Sequence, residues 1–184
     1  MSIILASKSP RRQELLKKVV NDFIVVTSNA KEVIDYSLTV EKIAESIAAT
    51  KAEYIYKDYQ NDLIISADTI VVIDNNILGK PKTEKDAFDM LSMLSNKTHK
   101  VITGVCIIYK NKTYKFHSTT KVTFYKLTPK QINDYIATKS PFDKAGGYGI
   151  QDDAALFVKK IDGDYYNVMG LPIAKLNKFL NEIF

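Results

Sequence analysis

Asp68 lies between two apolar runs, residues 63–65 and 70–73, and a carboxylate in such a stretch must be hydrogen-bonded, paired with a cation or bound to a metal. Three roles are open to it: holding a divalent cation, accepting a proton from water, or capping a strand-end turn together with Thr69. A second concentration of chemistry stands near the start of the chain. There Ser7-Lys8-Ser9-Pro10-Arg11-Arg12 places hydroxyls and cations at the opening of a helix. Cations at that end oppose the helix dipole by a few tenths to about 1 kcal/mol each, a conflict that a bound phosphate removes. An ordinary capped helix with solvent-facing arginines is the alternative. Arg11 and Arg12 are the chain's only arginines among 26 basic residues, the rest being lysine. The planar guanidinium fork matches phosphate and nucleobase edges in a way that the ammonium does not.

Further candidates lie downstream. Lys80 sits between Gly79 and Pro81, in a rigid turn that aims its ammonium in one direction, although many lysines are simply surface. Asp143-Lys144-Ala145-Gly146-Gly147-Tyr148-Gly149-Ile150-Gln151 combines two charges, three glycines, an aromatic ring and an amide. The glycines permit close backbone approach, and the Gln151 amide carries both a donor and an acceptor with which to read a base edge; a plain turn is the alternative. Glu32 is an acidic loop residue with no local pattern around it. His99 and His117 have no further histidine or paired cysteine to complete a metal site, so hydrogen-bonded structural roles are expected for them. No nucleophile triad and no P-loop pattern is present.

These residues need elements to carry them. Residues 2–6 read as a buried strand, followed by a helix that Ser9 and Pro10 open and that carries Leu15, Leu16 and Val19. Residues 23–26 form a second strand. Thr39 begins a long helix with Ile43, Ala44, Ile47, Ala48 and Ile55 at helical spacing, and Lys51 lies on it. Residues 63–73 make a β-branched strand ending in an Asp74-Asn75-Asn76 turn. Thr83 with Asp86 caps a helix whose Ala87, Met90, Leu91 and Leu94 are core. Strands at about 99–109 and 113–125 flank a turn at Asn111 and Lys112. Thr128 and Gln131 cap a helix to about Thr138, a strand lies near 156–161, and a last helix begins at about Pro172. Helices and strands alternate early and a hairpin comes late, so the class is α/β with a mixed sheet.

Composition bounds the rest. The 184 residues, 46% of them hydrophobic, suit one sizeable core, and a single domain over 1–184 is expected. No run approaches the roughly 20 apolar residues that span a bilayer, and residues 1–10 lack the charged lead and apolar stretch of a secretory signal. No membrane partner is expected, and the cytoplasm is the expected location. Cys106, the one cysteine, lies in an apolar run and reads as a small buried hydrophobe suited to a reducing compartment. The net charge of +5 comes from dispersed lysines with acids among them, so no nucleic-acid partner is expected.

Leu5-Ala6-Ser7-Lys8-Ser9-Pro10-Arg11-Arg12, Ala67-Asp68-Thr69 and Gly79-Lys80-Pro81, taken in order, resemble successive motifs of the Maf family of nucleotide pyrophosphatases. The resemblance continues through His99-Lys100-Val101-Ile102-Thr103-Gly104-Val105, the 143–151 loop and Asn167-Val168-Met169-Gly170-Leu171-Pro172. It implies the elongated α/β fold of the inosine-triphosphate pyrophosphatases, a mixed sheet with flanking helices and a central cleft. It implies hydrolysis of a nucleoside triphosphate to monophosphate and pyrophosphate as a house-cleaning activity, with a divalent cation, Mg²⁺ or Mn²⁺. Asp68 matches the family's catalytic acid. Ser7, Arg12, Glu32, Lys51, Lys80, Asp143 and Lys144 fall at or near its phosphate- and metal-binding positions, with Glu32 and Asp68 on the metal. Arg11, Thr69 and Gln151 match the branch that acts on dTTP and UTP. A homodimer is compatible with the resemblance, and a regulatory role in septum formation by binding alone is the competing expectation. Three places depart from the family pattern: Lys139-Ser140 stands where Gly-Glu is common, Asn96 where glycine is frequent, and Asp152 where glycine usually follows Gln151.

Overall fold

Capping chemistry sets the helix starts. Thr39 Oγ1 accepts from the Lys42 amide at the head of α2 (Val40–Tyr56), and full capping boxes open α3 (Glu84–Leu94) with Thr83 and Asp86, and α4 (Pro129–Ala137) with Thr128 and Gln131. The computed structural model describes residues 1–183. Its first helix, α1 (Pro10–Leu16), is shorter than expected and excludes Val19. Ser9 stands at its N-cap, but the hydroxyl makes no capping bond there. Ser7 Oγ takes up the Ser9 amide instead, at 3.3 Å.

The strands are β1 (Ile3–Leu5), β2 (Ile24–Val25), β3 (Leu63–Ile73), β4 (Asn76–Leu78), β5 (Thr98–Tyr109), β6 (Lys112–Phe124) and β7 (Val158–Asp162). Hydrogen-bonded neighbours run β2-β1-β3-β5-β6-β7, with β4 also on β3, in one mixed seven-stranded sheet. Among the described residues, β4, three short 3₁₀ helices (Ser140–Asp143, Ala145–Gly147 and Asp153–Phe157) and the short helix α5 (Tyr165–Met169) that precedes α6 (Ile173–Ile183) have no counterpart among the expected elements. The β5–β6 turn is Lys110-Asn111, one residue earlier than expected. Both turn residues have positive φ, 47° and 61°, as a two-residue hairpin matching the sheet's twist requires. The strand expected near 156–161 starts at Val158, because residues 153–157 form a 3₁₀ turn that leaves Leu156 exposed.

The chain divides into two compact units, each built from separated segments. The first comprises, of the described residues, 1–69, 103–118 and 166–183. In it β1 pairs in parallel with both β2 and β3, and α2 packs Ala48, Ala52 and Ile55 against Ile4, Ile64, Cys106 and Ile108. Cys106 is fully buried, and burial pushes its thiol up to about 12, so it packs as a hydrophobe. Helix α2 comes so close to β5 that a Cβ on Gly104 would lie 2.2 Å from the Ala44 carbonyl carbon and 2.4 Å from the Glu45 nitrogen.

The second unit comprises residues 70–102 and 119–165. There β3 pairs antiparallel with β4, and β6 with β7. Its core holds an aromatic group in which Phe124 meets His99, Tyr148 and Phe157 edge to face. Asn96 and Lys139, two of the departures from the family pattern, both adopt positive φ, 58° and 64°. They therefore keep the backbone shape that glycine takes most easily, and asparagine tolerates it better than lysine.

Candidate active site

Strand β3 alternates sides, and its alternation sorts the chemistry of the first unit. The even residues face α2: Ile64 packs on Ala48, Ala52 and Ile55, Ser66 Oγ donates to the Ala48 carbonyl, and Asp68 Oδ1 accepts from Lys51 Nζ at 2.5 Å. Lys51 Nζ also lies 2.9 Å from Glu32 Oε1, which comes from the segment between β2 and α2. The Lys51 and Asp68 side chains are 15% and 14% exposed, Glu32 53%. A single ammonium thus sits between two carboxylates and offsets part of their mutual repulsion.

The odd side of β3 carries a different network. Arg12 donates from Nη2 to Thr69 Oγ1 (3.0 Å), from Nε to the Gly170 carbonyl (2.8 Å) and from Nη1 to Ser7 Oγ (3.4 Å). Thr103 Oγ1 donates to the Asn167 carbonyl (2.9 Å), so the 2.9 Å bond between the two threonine hydroxyls has Thr69 as donor. The Thr103 amide donates to Asn167 Oδ1 at 3.2 Å, and both Thr103 and Asn167 are fully buried. Burial lowers the Arg12 pKa and the nearby Asp68 charge opposes that, while arginine remains a cation throughout. Arg11 follows Pro10 on α1 and is partly buried. With α1 only seven residues long, these bonds rather than the helix dipole set the guanidinium of Arg12.

In the second unit the Gly79-Lys80-Pro81 turn is tied to the glycine loop: the Gly146 amide donates to the Gly79 carbonyl at 2.9 Å, and a Cβ on Gly147 would touch Pro81 at 3.6 Å. Gly146 and Gly147 have φ of 68° and 74°, a conformation that favours glycine. Lys80 and Gln151 are exposed there. Lys144 Nζ meets Asp143 Oδ1 at 2.6 Å and Asp152 Oδ2 at 3.3 Å.

The structure thus gathers Ser7, Arg12, Glu32, Lys51, Asp68 and Thr69 in the first unit, and sets Lys80, Asp143, Lys144 and Gln151 on one turn-and-loop system in the second. Thr103, Asn167 and Gly170 carry no role in the sequence, although each lies within one of the family-like motifs. A polar residue inside a buried run, as with Asp68, is the signal for Thr103; Gly170 offers only its backbone carbonyl, which leaves no side-chain signal. Among the described residues no group of three or more His, Cys, Asp or Glu side chains gathers as a metal site. Both histidines are hydrogen-bonded, as expected: His99 Nε2 bonds Tyr148 Oη and His117 Nδ1 bonds Glu45 Oε1, each at 2.7 Å. Among the described residues no helix is long and apolar enough to cross a membrane.

The family model for Maf-like proteins matches residues 2–183. This chain belongs to the Maf-like family. The Maf-like chain is 48% identical over 180 residues to the dTTP/UTP pyrophosphatase of Bacillus cereus, covering 98% of this chain and 94% of that protein. The dTTP/UTP pyrophosphatase of Bacillus mycoides is likewise 48% identical, with the same coverage. Among solved structures, the Ham1 protein of Staphylococcus aureus superposes with a TM-score of 0.59 at 15% identity, covering all of both chains. A HAM1 protein from Coxiella burnetii gives 0.52 at 11% identity and 99% of each chain. These two likenesses concern the fold of the Maf-like chain alone.

Proposed function

We propose that this chain hydrolyses dTTP and UTP to the nucleoside monophosphate and pyrophosphate. The observation that carries the reading is the 48% identity, over nearly its whole length, to proteins named dTTP/UTP pyrophosphatase. The Asp68–Lys51–Glu32 group supports it. Asp68 and Glu32, whose carboxylates meet at the Lys51 ammonium, are the oxygen donors that would hold Mg²⁺ or Mn²⁺, with substrate phosphate oxygens and waters supplying the other ligands. When bound, such a cation neutralises phosphate charge and polarises the bond to be cut.

Asp68 accepts the proton of the attacking water. The water oxygen bonds the α-phosphorus, the bond from that phosphorus to the bridging oxygen breaks, and pyrophosphate leaves with the electron pair. Ser7, Arg12, Lys51, Lys80, Asp143 and Lys144 serve the phosphate side in this reading, and Arg11, Thr69 and Gln151 the base. The Gln151 amide accepts from N3–H of uracil or thymine while donating to a neighbouring carbonyl; cytosine lacks that N3–H and frustrates the pair. A nucleotide-pool substrate agrees with a cytoplasmic location.

The test is incubation of the purified protein with a nucleotide panel and Mg²⁺, Mn²⁺ or chelator, the products being separated by ion exchange. Expected are monophosphate and pyrophosphate from dTTP and UTP, no turnover in chelator, and roughly 5- to 150-fold discrimination against CTP, from leaving a polar group unpaired. Accumulation of diphosphate, or a preference for CTP, would refute the reading.

A further inference from the structure

Lys144 is held more closely than a loop lysine needs to be. Its ammonium donates to the Ser140 carbonyl (2.6 Å), Ser140 Oγ (3.1 Å) and Asp143 Oδ1 (2.6 Å), and its side chain is 11% exposed. Asp143 is the neighbouring residue and lies largely in solvent, where an ion pair is screened and conformationally loose. Asp152, whose Oδ2 is 3.3 Å from Lys144 Nζ, is the immobile partner. The buried Tyr135 donates its hydroxyl to both Asp152 oxygens at 3.1 Å, Ser140 Oγ donates to Oδ2 at 2.7 Å, and the Ala154 amide donates to Oδ1 at 3.1 Å. Tyr135 Oη in turn accepts from the Gly149 amide at 3.3 Å. A Cβ on Gly149 would lie 2.6 Å from both Asp152 Oδ2 and Lys144 Cε, so the missing side chain is the space in which the two meet.

We propose that Asp152 is a positioning residue: its immobilised carboxylate fixes the direction of the Lys144 ammonium toward substrate phosphate and, as the residue after Gln151, holds the backbone of the base-reading amide. The proposal rests on the pyrophosphatase reading above for the roles of Lys144 and Gln151. Ser140 Oγ is within hydrogen-bond distance of both Asp152 and Lys144, so a carboxylate placed at position 140 can take over the ion pair.

Four proteins test this: Asp152→Asn, Asp152→Asn with Ser140→Glu, Lys144→Met, and Asp152→Asn with Lys144→Met. Asparagine keeps an oxygen for the Ala154 amide and replaces the charged Oδ2, which faces Lys144, Ser140 and Tyr135, with an amide nitrogen that donates. Asp152→Asn should lower kcat/KM for dTTP and UTP about tenfold or more, chiefly through KM, as expected for removing the charged partner of a largely buried ammonium. Ser140→Glu should restore it to within a few-fold, and in the Lys144→Met background Asp152→Asn should add nothing. Labelling of Lys144 by a water-soluble acylating reagent, read by mass spectrometry, should rise several-fold in Asp152→Asn and fall again with Ser140→Glu. Unchanged labelling and kinetics in Asp152→Asn, or an equal loss with and without Lys144, overturns the proposal. If the wild type releases no pyrophosphate, the pyrophosphatase reading fails, and the labelling result by itself decides whether Asp152 positions Lys144.

Discussion

Lys51 Nζ lies 2.5 Å from Asp68 Oδ1 and 2.9 Å from Glu32 Oε1, so carboxylates from two separate segments meet at one cation. Asp68→Asn keeps the size of the side chain and an acceptor for Lys51 while removing the charge and the basic oxygen. Turnover should fall by about 10²- to 10⁴-fold, the usual worth of a positioned acid or base, with circular dichroism unchanged. Wild-type turnover in the folded variant would leave Asp68 as the structural partner of Lys51 alone.

Arg12 spends its fork on three acceptors, Thr69, Gly170 and Ser7, which point in different directions. A lysine carries the charge without the geometry, so Arg12→Lys should cost about 1–3 kcal/mol in stability and raise KM for dTTP. Urea denaturation and steady-state kinetics measure the two effects. A variant with both values unchanged would show that charge alone matters at this position.

Gly104 is where α2 comes closest to β5, and any Cβ there meets backbone rather than a side chain that can move aside. Gly104→Ala should therefore cost about 3 kcal/mol or more, the upper end of overpacking penalties. It should also displace Lys51, which the same helix carries. A denaturation midpoint within error of wild type would mean that the helix shifts freely.

His99 is buried with Nδ1 unpartnered, and burial pushes its imidazole from the ordinary 6.5 down to about 4. Between those values the unfolded chain binds a proton that the folded chain refuses. The stabilisation is complete above pH 6.5 and is lost as pH falls through 6.5 toward 4, by about 3 kcal/mol in all. His99→Gln, which can still bond Tyr148, should flatten this part of the stability profile measured by denaturation between pH 7 and pH 4. An unchanged slope would assign the acid sensitivity to other groups.

Short-range signals are legible in the amino-acid sequence. The Thr83–Asp86 and Thr128–Gln131 capping boxes and the apolar spacing of α2 operate within a few residues, and each appears as expected. What stays hidden depends on distant partners. Thr103 meets Asn167 across 64 positions, Asp152 meets Lys144 only because Gly149 leaves room, and Ser9 keeps the N-cap position without a capping bond while Ser7 Oγ accepts both from the Ser9 amide and from Arg12. The one-residue shift of the β5–β6 turn has a backbone cause. Positive φ falls on Lys110 and Asn111, and lysine gives no hint that it will adopt it.

Because Asp68 and Thr69 are neighbours on one strand, their side chains leave on opposite sides: one toward α2 and Lys51, the other toward α1 and Arg12. A substitution at Thr69 therefore reaches Arg12, its direct partner, and leaves the Lys51 contact of Asp68 on the other face of the strand. Insertion or deletion of one residue within β3 ahead of them is another matter. It would exchange the two sides at once, turning Asp68 toward Arg12 and Thr69 toward Lys51, so this stretch is intolerant of changes in length.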